Sequence, residues 1–118
     1  MTKRVLIVDD NPNMSSLLAE MLEVFDCDSD LAGDGHQALA KLESGEFSMV
    51  ITDMRMPNMT GLELLRQVKA KNPHIPVVLI SGYSGGQIEA QAEMAEADGF
   101  LGKPLMMSDI QKLVEDLL

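Results

Sequence analysis

Short runs of β-branched and leucine side chains alternate with helical stripes along this chain, and that alternation constrains its fold more than any other feature. Arg4-Val5-Leu6-Ile7-Val8, Met49-Val50-Ile51-Thr52 and Pro76-Val77-Val78-Leu79-Ile80 are compact and apolar. Runs of this length bounded by turn signals suit strands buried on both faces of a parallel sheet. Cys27 to Ala32 is more polar and reads as a strand at the sheet edge, and Gly99-Phe100-Leu101-Gly102 as a short final strand.

The intervening segments carry helix signals. Asn11-Pro12 supplies an N-cap followed by proline at the first helical position. Met14, Leu17, Leu18, Met21, Leu22 and Phe25 then fall on one apolar face, with the methionines as core filler. Asp34 with Gln37 caps a second helix that Gly45 stops, and Thr60 with Glu63 forms a capping box for a third. Leu62, Leu65, Val68 and Lys69 carry that helix to the break at Asn72-Pro73. An alanine-rich helix near Ile88 to Ala97, after a loop loosened by Gly82, Gly85 and Gly86, has few large apolar groups. It is expected to dock weakly and to move. Ser108 with Gln111 suggests a last capping box, ahead of the stripe Ile110, Leu113, Val114 and Leu117.

Strand and helix alternate five times, which implies an α/β protein with a parallel sheet, helices on both faces and right-handed crossovers. The expected architecture is a flavodoxin-like, doubly wound (βα)5 fold with strand order 2-1-3-4-5. A chain of 118 residues fits a single domain over 1–118, closing with the fifth helix. The formal charge of −10 argues against direct nucleic-acid binding, because phosphate backbones need a basic partner. No run reaches the ~18 apolar residues of a spanning helix, so no membrane span is expected. One cysteine, Cys27, has no disulfide or metal-knuckle companion, which fits a reducing cytoplasm.

The topology gathers particular polar residues at the carboxyl ends of the strands. Pro57 biases its predecessor toward extended geometry, so the third strand ends near Asp53. Strand one contributes Asp9 and Asp10, strand four Ser81 and strand five Lys103. The switch point of the fold lies between strands one and three, so these residues should share one cleft. Three carboxylates in a small site repel one another, and hard oxygen donors favour Mg2+ (or Mn2+) over zinc as the ion that relieves the repulsion. Lys103 adds a compact positive charge and Ser81 a hydroxyl. Such a set suits phosphoryl transfer, with Asp53 as the nucleophile that becomes an aspartyl phosphate.

Taken together, these residues resemble the receiver domain of two-component response regulators. The resemblance spans the chain and rests on Asp9-Asp10, on Asp53-Met54-Arg55-Met56-Pro57 with Gly61, on Ser81-Gly82, and on Phe100-Leu101-Gly102-Lys103-Pro104. It implies that Asp53 accepts a phosphoryl group from a phosphohistidine of a sensor histidine kinase or histidine phosphotransfer protein. It implies that Asp10, Asp53 and the backbone carbonyl of Arg55 bind Mg2+, with Asp9 assisting through water. Ser81 and Lys103 would contact the phosphoryl group, Phe100 would be the switch aromatic, and the Lys103-Pro104 bond would be cis. Ser81 and Phe100 would rearrange to switch the face of the fourth expected helix, the fifth strand and the fifth helix. That face would meet an output domain or protein, or a second copy in a phosphorylation-dependent homodimer. The implied protein is a cytoplasmic signalling phosphoacceptor, and not an enzyme beyond its own phosphoryl transfer and slow self-dephosphorylation.

Three rivals are weaker. Haloacid-dehalogenase-type phosphatases share a strand-end Asp nucleophile but place a second acid two residues later, where this chain has Arg55. A flavin-binding flavodoxin-like protein needs a neutral, hydroxyl-rich loop where Asp9-Asp10 stand. A docking module that never takes phosphate leaves the acid, serine and lysine set without a purpose. His36 and His74 read as isolated and solvated, and Cys27 as a packed small residue. Arg55 and Tyr83 lie where they could tune the lifetime of a phosphoryl group.

Overall fold

The structure, a computed structural model, describes residues 3–81 and 97–118. Gly82, Tyr83 and the expected helix near Ile88 lie outside the described residues, as does the side chain of Ser81. Five strands form one parallel sheet: β1 (Lys3–Val8), β2 (Cys27–Ala32), β3 (Met49–Asp53), β4 (Val77–Ser81) and β5 (Gly99–Gly102). Their order is β2-β1-β3-β4-β5, as the alternation of elements predicts. Four helices are described: α1 (Pro12–Glu23), α2 (Gly35–Ser44), α3 (Gly61–Lys71) and α4 (Met107–Leu117).

Side chains alternate across each strand, so the apolar runs feed two separate cores. Leu6, Val8, Val50, Val77 and Leu79 face Ala38 of α2 and Leu64, Leu65 and Val68 of α3. Val5, Ile7, Met49, Ile51, Val78 and Ile80 face Leu18, Met21 and Leu22 of α1 and Ile110 of α4. All five residues of β3 are buried, which is why a run with no polar alternation sits at the centre of the sheet. Burying each of these aliphatic side chains contributes about 1.5–3 kcal/mol.

The caps mostly follow local chemistry. The Asn11 side chain accepts from the Asn13 amide, Asp34 from Gln37 and Thr60 from Glu63, each meeting an amide that its helix leaves unpaired. The last helix differs from expectation. It is preceded by Met106, which makes no side-chain cap, and Ser108 already lies inside the helix. Leu17, counted above on the core face of α1, is 46% exposed, and the small Ser15 is buried in its place. The Ser15 hydroxyl donates to the Asn11 carbonyl one turn back, which lets a polar residue pack against the sheet.

Candidate functional site

Three of the acids singled out in the sequence meet at the carboxyl edge of the sheet. Carboxylate oxygens of Asp9, Asp10 and Asp53 all lie within 4.8 Å of one another. Asp53 is the last residue of β3 and only 8% exposed, and Asp9, directly after β1, is 4% exposed. Asp10 is exposed at the rim. Lys103, directly after β5, places its Nζ 3.8 Å from Asp53 Oδ2, an ion pair too long for a hydrogen bond. Ser81 is in register with Gly102, so the backbone brings strand four's end beside Lys103. The Lys103–Pro104 peptide bond is cis.

The electrostatics of the acids are only partly resolved within the protein. Asp9 Oδ1 accepts from the Asn11 amide at 2.9 Å, while Asp9 Oδ2 is buried with no hydrogen-bond partner. Burial raises the Asp9 carboxyl above its ordinary range, the Asn11 amide opposes that, and the charge of Asp53 adds to it. Lys103 pulls it back and Asp10 pushes it up more weakly. A buried carboxylate oxygen without a donor costs stability unless a ligand fills the gap. Hard oxygens clustered around such an orphan fit a divalent cation.

The loop after β3 is tightly organised. The Met54 amide donates to the Ile80 carbonyl, and the Met54 carbonyl accepts from the Gly61 amide, both at 3.0 Å. Asn58 adopts a left-handed backbone with φ of 71°, a conformation that asparagine tolerates better than most residues. Arg55 is exposed. Phe100 is partly buried and packs against the core beneath α2 and α3.

Two residues beside the acids carry roles that the sequence reading did not assign. Thr52 is fully buried and its hydroxyl donates to the Asp53 carbonyl at 3.0 Å. Its signal was a polar side chain in an otherwise apolar run. Gly61 occupies the first position of α3, where a residue with stronger helix propensity would be expected. Away from the site, His36 and His74 are exposed and Cys27 is buried. Burial first, then Asp26 and Asp28, raise the Cys27 thiol, which disfavours the nucleophilic thiolate.

An open α/β sheet with an acid cluster at its switch point defines a narrow class of proteins. The family model for the response regulator receiver domain matches residues 5–115, and the chain belongs to that family. It is 33% identical over 114 residues to the transcriptional regulatory protein ZraR of Salmonella typhimurium, covering 97% of this chain and 26% of that protein. It is 32% identical over 117 residues to the chemotaxis protein CheY of Pseudomonas aeruginosa, covering 97% of this chain and 94% of that one. Among solved structures, the response regulator TrrA of Thermotoga maritima, in complex with Mg2+-BeF, is 33% identical with a TM-score of 0.89. That match covers 99% of this chain and 100% of TrrA. The chain spans about a quarter of the length of ZraR, so it corresponds to one part of such larger regulators. Receiver domains are signalling proteins that work with histidine kinases and output domains. Among the described residues, no helix is long and apolar enough to cross a membrane.

Proposed function

We propose that this chain is a phosphoacceptor receiver domain over residues 1–118, acting in the cytoplasm, in which Asp53 takes a phosphoryl group from a phosphohistidine of a partner kinase or phosphotransfer protein. The observation that carries this reading is the buried Asp53 carboxylate, set within the Asp9–Asp10 cluster and opposite the Lys103 ammonium. One Asp53 oxygen forms a bond to phosphorus as the phosphorus–nitrogen bond to the donor imidazole breaks, and the imidazole leaves with a proton from solvent. Asp9, Asp10, Asp53 and the backbone carbonyl of Arg55 would hold Mg2+ or Mn2+, which when bound supplies positive charge to the phosphoryl oxygens. The solved complex of TrrA with Mg2+-BeF supports this assignment by likeness.

Lys103 stabilises negative charge on the transferred group, and the Ser81 hydroxyl hydrogen-bonds one of its oxygens. Movement of Ser81 toward the phosphoryl group opens room for Phe100, whose incomplete burial leaves apolar surface to gain by turning inward. The coupled change alters the face formed by the fourth expected helix, β5 and α4. An output domain or protein, or a second copy of the chain, reads that face. Incubating the protein with Mg2+ and acetyl phosphate should add one phosphoryl mass to the intact chain. Asp53→Asn should abolish the addition. An unlabelled wild-type protein, or label that persists in Asp53→Asn, would overturn the assignment.

A further inference from the structure

The backbone that carries Asp53 is gripped from two sides, and the grip follows from two side-chain choices outside the acid cluster. The buried Thr52 hydroxyl donates to the Asp53 carbonyl at 3.0 Å. On the other side, α3 begins at Gly61, whose position is so close that an added Cβ would run into that same carbonyl oxygen. It would also stand 3.0 Å from Met54 Cα and 3.1 Å from the Asp53 carbonyl carbon. All three obstacles are backbone atoms, so no change of rotamer relieves them. Either α3 or the strand end bearing Asp53 must move. The Gly61 amide meanwhile holds the Met54 carbonyl, and the Met54 amide holds Ile80 of β4, at 3.0 Å each. The peptide groups on both sides of Met54 are thereby fixed, with the Asp53 side chain just before them and the Arg55 carbonyl just after.

We propose that Thr52 and Gly61 are positioning residues that clamp the Asp53 carbonyl and so aim both the acceptor carboxylate and the Arg55 carbonyl into the site. The inference rests on the reading of Asp53 as phosphoacceptor. Thr52 provides the directional hold, through one hydrogen bond inside the sheet. Gly61 provides the close approach, because only a residue without a side chain lets the first turn of α3 seat on this backbone. Neither residue touches the phosphoryl group, and their effect is felt through Asp53. Misplacement of a reacting group by about 1 Å can cost about a hundredfold in rate, so a clamp of this kind has a measurable consequence.

The test compares Thr52→Val, Thr52→Ser, Gly61→Ala and, as a stability control in the opposite core, Leu22→Ala. Three quantities are read: urea midpoint, Mg2+ affinity from amide-shift titration, and the initial rate of phosphoryl addition from acetyl phosphate at saturating Mg2+. Thr52→Val and Gly61→Ala are expected to slow phosphoryl addition about tenfold to a hundredfold, to weaken Mg2+ binding, and to shift the Asp53, Met54 and Arg55 amides. Thr52→Ser, which keeps the hydroxyl, should retain wild-type rate and affinity, and Leu22→Ala should lose stability while keeping both. Equal rates and Mg2+ affinities in Thr52→Val and Thr52→Ser, or losses in Leu22→Ala as large as those in Gly61→Ala, would overturn the clamp. Should Gly61→Ala not fold, the Thr52 pair decides alone. Absence of phosphoryl addition in the wild type would sink the phosphoacceptor reading, while Mg2+ affinity and amide shifts still judge the clamp.

Discussion

Asp9, just beyond the end of β1, and Asp30, within the adjoining β2, are carboxylates with opposite settings. Asp30, within β2, accepts from Lys41 Nζ at 2.7 Å and Arg4 Nη2 at 3.2 Å, and the Leu31 amide donates to it at 2.9 Å. The Lys41 hydrogen bond holds its carboxyl below the usual range, against a smaller opposing effect of burial. Asp98, before β5, is similarly met by Lys69 Nζ at 2.6 Å and the Val77 amide at 2.8 Å. Asp9 is more deeply buried than either, yet one of its oxygens has no partner and burial drives its carboxyl upward. Acids that tie elements together are matched with cations, and the acid beside Asp53, the proposed phosphoacceptor, is not. On the proposed function, the difference marks where the fold gives up stability to keep a cation site ready.

Removing the most tightly matched acid should have the largest effect. Asp98→Ala strands the Val77 amide in the core, and the expected loss is about 2 kcal/mol, read as a fall in the urea midpoint. The opposite outcome is expected at the unmatched acid. Without divalent ions, Asp9→Asn should stabilise the protein at neutral pH, read as a rise in the urea midpoint. Added Mg2+ should then stabilise the variant less than the wild type. Because the folded Asp9 carboxyl is raised, its penalty is complete above that folded value and shrinks as pH falls through it. The penalty is gone below the unfolded value near 3.8, so variant and wild type should converge in acid. A neutral-pH advantage for the wild type would break the contrast.

The smallest effect is expected at Asp30, whose cationic partners Arg4 and Lys41 are 47% and 36% exposed and therefore screened by solvent. Asp30→Asn should cost about 0.5 kcal/mol at neutral pH. Its folded value is depressed, so the contribution is complete above the unfolded value near 3.8 and is lost as pH falls through the lower folded value. Urea titrations across acidic pH should therefore show Asp9 and Asp30 contributing with opposite signs.

Much of the scaffold was legible because it depends on local patterns. Buried strands advertise themselves as apolar runs, and the edge position of β2 showed in the polar residues of Cys27 to Ala32. The caps at Asn11, Asp34 and Thr60 were readable because each bonds an amide two or three residues away. Convergence of Asp9, Asp10, Asp53 and Lys103 followed from topology alone. What escaped depends on contacts distant in sequence. Leu17 carries the right period yet lies just off the face that packs, a distinction finer than the spacing rule. Asp98 carries no local signal, because its partners Lys69 and Val77 lie more than twenty positions back. Gly61 could be matched to a motif, but the reason for a glycine there is the backbone on which α3 rests.

The way Lys103 is mounted has a mechanical consequence. Asp9 and Asp53 are anchored by β1 and β3, interior strands flanked on both sides, whereas Lys103 follows the four-residue β5, which borders β4 alone among the described strands. The anionic half of the centre is thus a rigid anvil, and the cationic half hangs from the lightest rail in the sheet. Small displacements of that rail can retune the charge facing Asp53 while the acids stay where they are.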